Sequence, residues 1–171
     1  MYKFVLDADG IIKLAKAGVL EKLAESAVCI VPRQVYDEVM RGKEKMHKDA
    51  LITESLAAQS KIKIAEHGKT GFAGAGAGES AALAVFRKEN ADSIISDDLR
   101  FLAQLKKENI PFTTPANALV WLAKNSKITK EEALDSLEKL KEFVREEAYE
   151  RAKNLIGGKE NDNRVLPVED T

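Results

Sequence analysis

Short apolar runs rich in β-branched residues alternate along this chain with stretches of helical periodicity, and several of the runs stop at an acid. Residues 3–6 (Lys-Phe-Val-Leu) meet Asp7, and residues 93–95 (Ser-Ile-Ile) meet Ser96-Asp97-Asp98. Residues 27–31 read Ala-Val-Cys-Ile-Val, residues 61–65 alternate as Lys-Ile-Lys-Ile-Ala, and residues 111–114 read Pro-Phe-Thr-Thr. Such runs predict strands. Between the first two, residues 11–17 and 19–26 predict helical pieces hinged at Gly18. Pro32 suits a first helical position and opens a helix through Val35, Val39 and Met40 that Gly42 can end. Residues 44–60 and 79–88, and the spacing of Phe101, Leu102 and Leu105, predict further helices. This alternation predicts one α/β domain around a mainly parallel sheet. Right-handed crossovers then bring the carboxyl ends of the strands to one edge, where open α/β sheets bind ligands.

Thr114-Pro115 predicts an N-cap and first-turn proline for a helix over 116–124, and Thr129-Lys-Glu-Glu132 has capping-box form. It opens what reads as one long helix, with an apolar line through Leu134, Leu137, Leu140, Val144 and Ala148. Gly157-Gly158 ends that helix, and residues 157–171 are expected to be a flexible polar tail. A length of 171 residues suits about one domain.

Composition removes several functions. The single cysteine, Cys29, cannot form an internal disulfide, and one Cys with two His does not make an ordinary zinc site. No apolar run approaches the roughly 18 residues of a membrane span, and the first residues resemble neither a signal peptide nor a basic presequence. A cytoplasmic protein with no membrane partner is the expectation. With 27 Lys+Arg against 28 Asp+Glu, nucleic-acid binding would have to rest on a local patch.

The acids are the informative residues. Asp7 and Asp97-Asp98 follow strands, Glu38 lies in the helix after the second strand, and Glu79 starts the helix after the Gly-rich stretch 68–78. Singly, each is explained as a turn, a cap or a solvated face. Together, at one sheet edge, ionised carboxylates about 6 Å apart repel by about 3 kcal/mol per pair at an effective dielectric near 20. Such a group stays ionised only beside a cation, and all-oxygen donors favour Mg²⁺ or Mn²⁺.

Val5-Leu-Asp7 with Ile11-Ile12, Val31-Pro-Arg-Gln-Val-Tyr-Asp-Glu38-Val, Gly78-Glu79-Ser-Ala-Ala-Leu-Ala and Ile94-Ile-Ser96-Asp-Asp98-Leu-Arg-Phe101 resemble, in order and spacing, the PIN-domain nucleases, which include VapC-like toxins of toxin–antitoxin pairs. The resemblance covers about residues 1–125. It implies a divalent-metal-dependent endoribonuclease in which Asp7, Glu38, Glu79 and Asp98 are the catalytic acids. Metal ligands would come from these and Asp97, with Ser96 and Asp9 in support. The expected fold is a three-layer α/β/α PIN-like domain over 1–156, strand order 3-2-1-4-5, with a helical extension at 127–156. Asp9 departs from the Asn or Ser common in the family, and the extension is longer than compact toxins need.

An RNA substrate would be gripped by cations beside the acids, for which Lys13, Lys16, Arg33, Arg41 and Arg100 are candidates. Further expected partners are an antitoxin and, from the surplus apolar area of the final helix, a second copy of the chain. Asp7-Ala-Asp9-Gly10 also resembles the first motif of haloacid-dehalogenase-like phosphohydrolases, with Asp7 as nucleophile and Asp9 as acid/base. In that reading Asp97-Asp98 would hold Mg²⁺, Glu38 and Glu79 receive no role, and the second strand lacks the family's Ser or Thr. A third reading is a non-catalytic PIN-like domain binding RNA or protein. The glycines at 71, 74, 76 and 78 fit no dinucleotide motif, and Gly68-Lys69-Thr70 lacks the first glycine of a P-loop. That stretch reads as a loop delivering Glu79. Trp121 reads as core or dimer interface.

Overall fold

The computed structural model describes residues 1–45, 47–68 and 76–158. In chain order the elements are β1 (Lys3–Leu6), α1 (Ala8–Ala17), α2 (Leu20–Ser26), β2 (Val28–Pro32), α3 (Arg33–Met40), a 3₁₀ turn (Arg41–Lys45), α4 (Lys48–Ala58) and β3 (Ile62–Ala65). There follow α5 (Ala77–Glu89), β4 (Ser93–Ile95), α6 (Leu99–Lys107), β5 (Phe112–Thr113), α7 (Pro115–Lys124), α8 (Lys130–Glu138) and α9 (Glu146–Gly157). The strands form one parallel sheet, as the alternation predicts, in the order β3-β2-β1-β4-β5 that the resemblance implies.

Side chains alternate across the strands and divide the core in two. Phe4 and Leu6 of β1, with Cys29 and Val31 of β2, face α1, α2, α7, α8 and α9 through Ile11, Leu23, Leu119, Leu137 and Leu155. Val5, Ile30 and Ile94 face the opposite way, onto Leu83 and Val85 of α5 and Phe101 and Leu105 of α6. Helices on both faces of the sheet make a three-layer α/β/α fold of PIN-like form. Trp121 is buried, with its ring centroid 5.3 Å from Phe4 and 5.9 Å from Tyr2. It is core.

Several boundaries differ from the expectation. Pro32 closes β2, pairing with Ala65, and the helix starts one residue later. α3 ends at Met40 and continues as the 3₁₀ turn through Gly42, so α4 begins only at Lys48. The long final helix is two helices. After α8 the amide of Leu140 bonds the carbonyl of Leu137, and that of Phe143 bonds Leu140. These three-residue steps turn the chain, and Arg145 enters α9 in extended conformation. The apolar line persists because Leu140 is buried on the turn itself, so periodicity alone did not reveal the break. Gly158 closes α9 in the left-handed region at φ 73°. The glycines at 71 and 74 and the tail after Gly158 lie outside the described residues. Among the described residues, no helix is long and apolar enough to cross a membrane.

Candidate metal centre at the carboxyl edge of the sheet

Asp7 follows β1 directly and caps α1. Its Oδ1 accepts the Gly10 amide at 2.6 Å, and its Oδ2 accepts the Ser96 hydroxyl. Gly10 makes this possible, because a Cβ there would stand 2.6 Å from the carbonyl oxygen of Ile95. The first turn of α1 is therefore pressed against the end of β4, and Asp7 is only 7% exposed. Burial pushes its carboxyl up to about 7; the Ser96 and Gly10 hydrogen bonds act the other way, and the charges of Asp9 and Asp98 add to the rise.

Ser96 joins two acids. It donates to Asp7, and its Oγ accepts the backbone amide of Asp98 at 3.2 Å. Asp98 caps α6, its Oδ1 accepting the amides of Arg100 and Phe101 at 2.9 and 3.0 Å. Glu79 is the third residue of α5, and its Oε2 reaches back to the Gly76 amide at 2.8 Å. Glu38 stands on α3, and its Oε2 would be 3.3 Å from a Cβ on Gly78, so the bare backbone of α5 makes room for it.

These four acids, with Asp9, line one cleft of about 520 Å³. Three helix N-termini, those of α1, α5 and α6, meet there, and their partial positive charges favour carboxylates and phosphates alike. Among the described residues, however, no three acids stand close enough together to form a ready ligand cluster. The carboxylates share a cleft but are tied to their own helix starts.

Asp97 does not line this cleft. Its Oδ2 is 2.6 Å from the Lys13 ammonium, which also lies 2.9 Å from Asp9 Oδ2. Burial raises the Asp97 carboxyl, and the hydrogen bond and charge of Lys13 oppose that rise. Burial works against the charge of Lys13, but its two carboxylates outweigh it and hold the ammonium above its usual range. Asp98 is thus the cleft-facing member of the tandem pair. For the phosphohydrolase reading, Asp9 is engaged by Lys13 and β2 ends in Pro32 without a phosphate-binding hydroxyl.

Of the cations proposed to grip RNA, Arg41 lines the cleft. Lys13 is held by two carboxylates. Lys16 sits over the Phe143 ring at 4.4 Å, beside a separate cavity between α1 and α4. Arg33 pairs with Glu66 at 2.9 Å, and Arg100 is exposed on the first turn of α6. Gln34 also lines the cleft and was not singled out from the sequence. Its spacing four residues before Glu38, on one helical face, is the signal that could have found it.

A family model described as a PIN domain, DUF3368, matches residues 3–158. A solved structure described as a domain of a functionally unknown protein from Methanocaldococcus jannaschii is similar at a TM-score of 0.47 and 17% identity, covering 67% of this chain and 91% of that one. None of the curated proteins compared with the chain matches it. With the match running across nearly all of the described sheet and helices, the chain belongs to this PIN-domain family.

Proposed function

We propose that the protein is a divalent-metal-dependent endoribonuclease that hydrolyses RNA phosphodiester bonds at the acid-lined cleft. The observation that carries this reading is the gathering of Asp7, Glu38, Glu79 and Asp98, from four separate elements, around one cavity at the carboxyl edge of a parallel sheet. The donors fit a hard cation: all are oxygens, and Asp7, whose carboxyl is raised chiefly by burial, would be held ionised by a cation beside it. Glu38 and Glu79 have the rotatable bonds to close on an ion without backbone movement. Mg²⁺ or Mn²⁺ bound by these acids would supply an activated water and cover the charge on the phosphoryl oxygens. The chain itself supplies the rest. Ser96 orients Asp7 and braces Asp98, the three helix N-termini attract the phosphate, and Arg41 offers its guanidinium to a phosphate oxygen.

A second reading is favoured by one specific observation. Each of Asp7, Glu79 and Asp98 already serves a helix start, and no three acids form a closed cluster among the described residues. A PIN domain that binds RNA without cutting it would look the same. The deciding experiment is calorimetric titration of Mn²⁺ followed by incubation with single-stranded RNA, with and without EDTA. The nuclease reading expects uptake of Mn²⁺ and cleavage that EDTA stops. RNA binding with neither would establish the second reading. The same preparation tests partners: a toxin role expects a co-expressed antitoxin to co-purify, and a homodimer expects twice the chain mass in sedimentation.

A further inference from the structure

The cleft has a charged layer beside it that the proposed chemistry leaves unused. Lys13 lies one turn after Asp9 on α1, with its side chain 15% exposed. Its ammonium bridges Asp9, which lines the cleft, and Asp97, which does not. The Asp97 side chain is 3% exposed, and its Oδ1 is buried without a hydrogen-bond partner among the described residues. Arg145, at the entry to α9, brings a second positive charge to bear on Asp97. Charges therefore alternate from the cleft to the carboxyl-terminal helices: Asp9, Lys13, Asp97, Arg145.

We propose that Lys13 is a positioning residue that sets how strongly the cleft takes up a divalent cation, by holding Asp97 out of the donor set and sharing Asp9. The inference rests on the cation site of the proposed function. Two carboxylates engage the ammonium at 2.6 and 2.9 Å, which takes Lys13 away from RNA and fixes its charge beside the acids. For an ion bound about 8 Å away, such a fixed positive charge would weaken binding by about fivefold even at the dielectric of water. Lys13 thus offsets the surplus of acid, and it selects Asp98 over Asp97 as the acid that faces the cleft. A purely structural ion pair would leave cation affinity alone, or weaken it whenever either partner was removed.

The sign of the change separates these roles. Mn²⁺ is titrated calorimetrically into the metal-free full-length chain, as wild type, Lys13→Met, Asp97→Asn and the double variant, with folding checked by circular dichroism. Lys13→Met is expected to tighten Mn²⁺ binding by about fivefold or more, and Asp97→Asn to weaken it by a similar factor. The double variant, neutral like the native pair, is expected to return within about twofold of wild type. A folded Lys13→Met protein that binds Mn²⁺ as before, or more weakly, overturns the proposal. Should Lys13→Met not fold, the other two proteins decide: unchanged affinity in Asp97→Asn, or no recovery in the double variant, overturns it. A wild type that takes up no Mn²⁺ brings down the proposed function and this inference together. A wild type that binds, with variants that match it, brings down the inference alone.

Discussion

Asp7 concentrates the tension of the site in one side chain. It is buried, hydrogen-bonded through both oxygens, and raised by burial to about 7. A carboxyl that holds its proton more tightly when folded than when unfolded favours the fold at low pH. That advantage is complete below the ordinary aspartate range near 4 and is lost as pH rises towards 7. The metal-free protein is therefore expected to lose on the order of 4 kcal/mol from this residue between pH 4 and pH 8. Asp7→Asn should abolish that part of the slope in thermal melts and raise the melting temperature at pH 8. It should also lower RNA cleavage by more than about a hundredfold. Gly10 gives the opposite case. Gly10→Ala drives a Cβ to 2.6 Å from the Ile95 carbonyl and should cost at least about 2 kcal/mol in urea unfolding. The acid was legible from its place after a strand. The need for glycine three residues later was not, because it arises from contact with β4, some 85 residues away in the chain.

Among the elements, α5 shows how a cap and a ligand can be told apart. Glu79 bonds the Gly76 amide, a contact that glutamine can also make. Glu79→Gln should leave the melting temperature nearly unchanged and weaken Mn²⁺ binding about tenfold. Glu79→Ala should weaken binding and also cost about 1 kcal/mol of stability. Equal Mn²⁺ affinity in wild type and Glu79→Gln would make the residue a cap only. Strands and caps were readable here because their signals are local: β-branched runs, Thr114 before Pro115, and Thr129 with Glu132. The break between α8 and α9 was not, since residues 139–145 contain no glycine or proline and Leu140 keeps the apolar spacing through the turn. That Asp98 lines the cleft while Asp97 pairs with Lys13 was equally hidden, because the pairing joins residues 84 positions apart in the chain.

For the whole molecule, the carboxyl-terminal helices are part of the main core and not an appendage to it. Leu137, Leu140, Tyr149, Ala152 and Leu155 belong to the same buried cluster as Phe4 and Leu6 of the central strand. A chain cut after Asn125 would strip from α7, the helix that carries Trp121, its packing partners α8 and α9. Trp121 fluorescence should report one cooperative urea transition for the full chain and none for the fragment 1–125. The parallel sheet could be anticipated because strands alternate with helices along the chain, and its order because the resemblance to PIN domains implies it. How the last helices close over it could not, because their burial depends on partners across the whole chain. The helix-start bonds of Asp7, Glu79 and Asp98 also bear on how such a protein would age. A descendant that cuts no phosphodiester would still have cause to retain all three, since each anchors the start of a helix.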